Sequence, residues 1–207
     1  MEYRPLQVGP LESNCYIIWD HDTRAGAVID PGGDKGRILS LIDSLGLRIE
    51  WVLLTHGHFD HAFYTADIAE ECGAKIGMQA LDIQQVTQSM EVGEQFYNSS
   101  EFAPFTPTDL LNDGDVIRLG ESEAKVLHTP GHSQGGLCFV TDAGVFCGDT
   151  IFAGSVGRSD FPGGSHEQLI QSIKDKILTL DDSVKLFPGH GPSTTVGEER
   201  ASNWYLR

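Results

Sequence analysis

An α/β fold with two sheets is what this sequence predicts, and three observations predict it. Its 207 residues fall within the span of one domain that can bury most of its apolar surface. Through the first half, short apolar runs bounded by glycine, proline and acidic turns alternate with stretches of helical periodicity. From Val116 onward, strand-like runs follow one another in quick succession, which points to a second sheet. The 24 Gly and 9 Pro are scattered through short connections, and no internal repeat is present, so a single domain over 1–207 is expected.

In chain order, CYIIWD at 15–20 and AGAVIDPG at 25–32 are apolar runs joined by the turn HDTR, which predicts an antiparallel hairpin. His21, between Asp20 and Asp22, reads as a solvated turn residue. Asp30 ends the second run just before Pro31 and Gly32, where it can accept hydrogen bonds from a neighbouring loop or serve as a plain turn aspartate. Residues 34–45 set Ile38, Leu39, Ile42 and Leu45 on one helical face, and Gly46 supplies the stop. EWVLL at 50–54 reads as a buried strand, AFYTADIAEEC as a helix, KIGM at 75–78 as a strand and ALDIQQV as a helix. Between about Gln88 and Pro107 the pattern fails. That polar stretch carries Phe96, Tyr97, Phe102 and Phe105 and is expected to be a functional lid or a disordered excursion.

The second half offers VIRL, EAKVLHT, LCFVT and GVFCGD as strands, with His128 a structural histidine inside one of them. SHEQ at 165–168 predicts a capping box, with Ser165 as N-cap and Gln168 reaching back. His166 is then only a first-turn residue of the helix EQLIQSIKDKIL.

Composition excludes some partners. Lys plus Arg number 14 against 30 Asp plus Glu, a formal charge of -16, and the cations are spread singly, so no phosphate-binding stripe exists and nucleic acid is not expected. Residues 1–20 lack a basic start followed by a long apolar run, and no segment has the length to cross a bilayer, so a cytoplasmic protein without membrane contact is expected. Cys15, Cys72, Cys138 and Cys147 form no CxxC pair and are assigned to packing.

The chemistry concentrates in THGHFDHA at 55–62, which places His56, His58, Asp60 and His61 in six consecutive positions after a strand. Structural zinc takes four ligands and catalytic zinc usually three from the protein, so with more ligands to come this cluster points to two ions. The further candidates are His132 after VLHTPG, Asp149 after VFCG and His190 after KLFPG, each following a strand and a glycine. Glycine lets the backbone turn sharply there and aim the side chain into a common crevice beyond the strand ends. The candidate ligands are therefore seven.

THGHFDH, TPGHS, GDT and PGH, in this order and spacing, are similar to the metallo-β-lactamase superfamily over nearly the whole chain. That resemblance implies a four-layer αββα sandwich with a dinuclear metal site. IFAGSVGRSDFPGG at 151–164 and the ending PGHGPSTTVGEER further resemble the small type II glyoxalase-like hydrolases, which implies hydrolysis of a small-molecule thioester such as S-lactoylglutathione. By resemblance, His56, His58 and His132 hold one ion, Asp60, His61 and His190 the other, and Asp149 bridges them. The ions are expected to be zinc, with iron or manganese also compatible with imidazole and carboxylate ligands. Two such ions make hydroxide available at neutral pH for attack on the thioester carbonyl, and Asp60 helps orient the attacking water.

The same resemblance places Arg158, in GRSD, beside the site. It is read either as a fork for a ligand or substrate carboxylate or as a loop-pinning partner of Asp160. After His190 only 207 - 190 = 17 residues remain. The larger type II glyoxalases carry a C-terminal helical domain that grips glutathione, so a different acyl thioester is left open. The rival with the same HxHxDH and GRxDF patterns is the mononuclear iron persulfide dioxygenase, against which Gly191 and Pro192 argue, since that family tends to place aspartate after its last histidine. A lactonase or another metallohydrolase of the fold is a further alternative. Oligomeric state is not legible.

Overall fold

The hairpin foreseen at the start of the chain is part of a larger antiparallel unit. In the computed structural model, which describes residues 1–97 and 102–207, β1 (Glu2–Val8), β2 (Ser13–Trp19) and β3 (Ala25–Ile29) pair antiparallel in that order. β4 (Arg48–Leu53), β5 (Lys75–Met78) and the short β6 (Asp109–Leu110) then add in parallel, giving a six-stranded mixed sheet. Parallel pairing needs crossovers. These are α1 (Lys35–Leu45) between β3 and β4, and α2 (Phe59–Ala62) with α3 (Thr65–Cys72) between β4 and β5. Gly46 ends α1 in the left-handed conformation at φ 61°, as the sequence predicts.

The second sheet runs β14-β13-β10-β9-β8-β7, from β7 (Val116–Leu119), β8 (Ser122–His128), β9 (Leu137–Thr141), β10 (Gly144–Gly148), β13 (Lys185–Pro188) and β14 (Thr194–Thr195). Its one parallel pair, β10 with β13, is bridged by the small hairpin β11 (Ile151–Phe152) and β12 (Ser155–Val156) and by α5 (His166–Ser172), which continues into a π-helical turn at Ile173–Ile177. α6 (Val196–Ser202) follows β14.

Alternation along the strands sets the layers. Ile18, Ala27, Ile29 and Leu53 of the first sheet face Ala124, Val126, Phe139, Phe146 and Phe187 of the second, and this shared core lies between them. Their sequence neighbours Ile17, Val28 and Val52 point the other way, onto Ile38 and Ile42 of α1 and Ile68 of α3. Val145, Cys147 and Leu186 likewise face Leu169, Ile173 and Val196 on the far side. Helix, sheet, sheet, helix is the four-layer αββα sandwich. Phe146 anchors its middle, with ring centroids 4.9 Å from Phe187 and 5.1 Å from Tyr16. Truncation of such a buried aromatic costs about 3–5 kcal/mol.

The stretch from Gln88 differs from its expectation. A 15-residue helix, α4 (Ile83–Tyr97), follows a 3₁₀ turn at Ala80–Asp82 and occupies much of it. Val86, Met90 and Gly93 form its buried side, and a side chain at Gly93 would place Cβ 2.8 Å from Phe59 Cβ. The rest of the expected lid includes 98–101, outside the described residues, and 102–107, which have no regular structure. The capping box is half as foreseen: Ser165 Oγ accepts from Gln168 N at 3.3 Å, while the reciprocal bond belongs to another helix, between Thr195 and Glu198 at the start of α6.

Candidate metal centre

Five loops beyond the carboxyl ends of β3, β4, β8, β10 and β13 converge at one edge of the sandwich, and they carry Asp30, the 55–62 motif, His132, Asp149 and His190. Asp60 and His61 differ from the expected loop setting, since Phe59–Ala62 closes into one helical turn. That turn points both side chains the same way as the preceding histidines.

The candidate ligands meet as two separate trios, and Asp30 forms a third, overlapping one with His56 and His61. Ligand atoms of His56, His58 and His132 lie within 4.8 Å of one another, as do those of Asp60, His61 and His190. His132 Nε2 is 2.9 Å from His58 Nδ1, and His190 Nε2 is 3.1 Å from Asp60 Oδ2. Asp149 stands between the trios, with Oδ1 3.4 Å from His61 Nε2 and Oδ2 3.6 Å from His132 Nε2. A tetrahedral ion with ligand bonds of about 2.0–2.1 Å puts its ligand atoms about 3.3–3.4 Å apart, so the two Asp149 separations suit shared coordination better than hydrogen bonding, while the 2.9 and 3.1 Å contacts are of hydrogen-bond length.

The donor set fits metal on a second count. Three buried atoms that face the cluster, His56 Nε2, His61 Nε2 and Asp149 Oδ1, have no hydrogen-bond partner. Buried polar atoms are rarely left so, and an ion is one group that satisfies them. Titration agrees. Burial, aided by the neighbouring rings, holds His56 well below the usual histidine range and His58 at about 3, so both present neutral lone pairs. Burial also opposes charge on His61, but the carboxylates of Asp60, Asp149 and Asp30 outweigh it and lift the ring to about 10. In the metal-free chain that proton partly offsets carboxylate charge that a cation would otherwise neutralise.

An outer shell orients the rings. Asp30 accepts from Thr55 N at 2.8 Å and Thr55 Oγ1 at 2.6 Å, and its Oδ2 lies 2.9 Å from His61 Nδ1, so it takes the interacting role and not the plain turn. It sits at φ 54°, a left-handed conformation unusual outside glycine, which fits a residue held by its surroundings. Ser13 Oγ donates to Asp60 Oδ2 at 3.0 Å. Asn14 and Tyr16 bind the Pro188 carbonyl and so fix the loop of His190. At Gly189 only hydrogen fits, since a Cβ would stand 2.2 Å from Asp149 Oδ1.

Arg158 does not aim its charge at the trios. Its guanidinium forks onto Asp160 at 3.0 and 2.9 Å and lies over Phe161, its carbon 4.3 Å from the ring centre. What reaches the cluster is its backbone carbonyl, 2.6 Å from His132 Nδ1. Of the remaining histidines, His128 Nε2 binds the Gln134 carbonyl, His21 pairs with Glu2 at the surface and His166 opens α5. Cys15, Cys138 and Cys147 are buried and Cys72 half-buried, all free thiols.

Sequence reasoning missed Asp82. Buried at the end of the 3₁₀ turn that leads into α4, it accepts from Gly57 N at 3.0 Å, Ser133 Oγ at 2.7 Å and Gly135 N at 2.6 Å, and so ties the loop of His56 and His58 to the loop of His132. A lone aspartate in ALDIQQV carries no sign of partners so distant in the chain.

A sequence model of the metallo-beta-lactamase superfamily matches residues 8–190. The chain belongs to that superfamily. Hydroxyacylglutathione hydrolase GloC of Haemophilus influenzae is 34% identical, covering 100% of this chain and 98% of that protein. Among solved structures, a di-iron-bound form of TTHA1623 superposes with a TM-score of 0.87 at 35% identity, covering 98% of this chain and 100% of that one. ETHE1 from Myxococcus xanthus superposes with a TM-score of 0.81 at 27% identity, over 99% and 84% of the two chains. Family and relatives support a metal-dependent hydrolase, and no helix among the described residues is long and apolar enough to cross a membrane.

Proposed function

We propose that this chain is a dinuclear metallohydrolase of small-molecule thioesters. The observation that carries the dinuclear reading is Asp149, which stands between the trios with Oδ1 3.4 Å from His61 Nε2 and Oδ2 3.6 Å from His132 Nε2 and 3.9 Å from His190 Nε2. His56, His58 and His132 would hold one ion, Asp60, His61 and His190 the other. Two divalent ions supply a Lewis acid for a carbonyl oxygen and lower the pKa of water toward about 7. The thioester assignment is supported by full-length similarity to the hydroxyacylglutathione hydrolase. Zinc, iron and manganese all suit the donors, and the di-iron relative makes iron as strong a candidate as zinc.

The chain's own residues supply position. Asp60, Asp149 and His190 line a cleft of about 590 Å³, so a substrate carbonyl entering it meets the cluster directly. The Asp60 carboxylate, held by Ser13, would orient the attacking water. Oxygen adds to the acyl carbon, the carbon–sulfur bond breaks, and a carboxylic acid and a thiol result. A thiol of pKa about 8.5 leaves without a dedicated acid.

No covalent nucleophile competes among the described lining residues. Ser89 is the one hydroxyl side chain there, and its hydroxyl bonds to the Gly57 and Val86 carbonyls at 3.0 and 3.2 Å. The test is thiol release from S-lactoylglutathione and simpler thioesters by metal-loaded protein, with oxygen uptake recorded in parallel. Thiol release without oxygen consumption is expected. Oxygen uptake on a persulfide, with no thioester cleaved, would establish the dioxygenase instead.

A further inference from the structure

The wall of the cleft is apolar where glutathione would need charge. Leu11, Val92, Phe152, Phe161 and Pro162 line it together with one face of α4, on which Gln85, Gln88, Ser89 and Val92 fall at helical spacing without a charged side chain. Leu11, Val92 and Phe161 remain 39%, 46% and 38% exposed, so three large apolar side chains converge on open space. The apolar surface begins at the reacting centre, since the Phe161 ring lies edge-on to His58 at 5.3 Å and the Phe152 ring edge-on to His190 at 6.3 Å.

Arg158 is the one cation among the described lining residues, and its fork is filled by Asp160 while its face covers Phe161. Two carboxylates of a glutathione tripeptide would have to displace Asp160 to reach it. They would also approach a chain of formal charge -16.

From this we infer that the substrate is a thioester whose group flanking the carbon–sulfur bond is uncharged and apolar, packed against Val92 and Phe161. The inference rests on the thioester-hydrolase reading and specifies its substrate class. A pocket that buries methylenes discriminates by length, about three- to fourfold in kcat/KM for each one buried.

The experiment uses two matched series on metal-loaded protein. In one, acetyl, butyryl and hexanoyl groups are carried by N-acetylcysteamine. In the other, one acyl group is carried by N-acetylcysteamine, an alkane thiol and glutathione. The unreactive S-methyl and S-hexyl thioethers of N-acetylcysteamine are titrated by calorimetry. The expected result is kcat/KM rising with chain length in at least one series, no advantage for glutathione, and tighter binding of the hexyl thioether. Val92→Glu, at an exposed helix position, is expected to flatten the length dependence when each variant is normalised to its own acetyl value. A glutathione ester preferred by more than tenfold, or flat profiles in both series, overturns the inference while leaving a thioester hydrolase in place. If no thioester is cleaved, the hydrolase reading fails. Calorimetry then decides the cleft by itself: stronger binding of the hexyl thioether supports an apolar subsite, and equal binding of the two overturns it.

Discussion

Replacing Asp82 by alanine removes the acceptor for three donors on two ligand-bearing loops. The Ser133 hydroxyl can rotate to another partner, but the amides of Gly57 and Gly135 are buried and fixed in direction. A buried donor left unsatisfied costs about 1–3 kcal/mol, so two amides predict a loss of about 2–6 kcal/mol. Asp82→Asn keeps one carbonyl oxygen and is expected to lose about half as much. Burial raises the Asp82 carboxyl above its ordinary value, with its three donors only partly offsetting. Its stabilising contribution is therefore complete below the unfolded-state pKa and is lost as pH rises through the raised folded value, so the gap between wild type and Asp82→Asn should narrow from acid to neutral pH. Because the loops carry His58 and His132, affinity for metal at that trio is expected to fall about 10–100-fold. Urea unfolding of metal-free protein reads the first effect and chelator competition the second. A stability change under about 0.5 kcal/mol together with metal affinity within about twofold of wild type would refute the positioning role.

Asp149→Ala should lower metal content below two ions per chain and reduce thiol release by at least about 10²–10³-fold, as expected for loss of a preorganised electrostatic element; elemental analysis beside kinetics checks both. Arg158→Ala should keep full metal content, because His132 is held by the residue's backbone carbonyl, and should shift stability by no more than about 1 kcal/mol, as for an exposed ion pair. Loss of activity at full metal content would instead make the guanidinium a substrate contact. Asp20 is held below the ordinary carboxylate range by the Thr23 hydroxyl and amide and by Ser122. Its stabilising contribution is present above the unfolded pKa and lost as pH falls through the folded value, so Asp20→Asn should shrink the difference between urea midpoints at pH 7 and pH 3.

The site was legible to the degree that its residues announce themselves by type and spacing. Three histidines and an aspartate crowded into six positions, and three more candidates each set after a strand and a glycine, are rare arrangements with few other uses. Residues that position them are of ordinary type, and their partners are remote in the chain. Asp82 reaches across to Gly135, and Arg158 acts through a carbonyl that any residue possesses. The layers were legible because buried strands read as continuous apolar runs, as in Ala25–Ile29 and Gly144–Gly148. β1 was missed because EYRPLQV buries only Val8 fully, includes Pro5 and lies at a sheet edge. α4 was read only as far as ALDIQQV, and its continuation to Tyr97 was missed because its inner face contains Gly93, a poor helix former that close approach of Phe59 requires.

Metal titration of the stripped protein, with thiol release measured at each addition, tests the central claim most directly. Activity should climb to a plateau at two equivalents per chain, and Asp149→Ala should fail to reach it. A plateau at one equivalent, or a fully loaded protein that cleaves no thioester, would contradict the account.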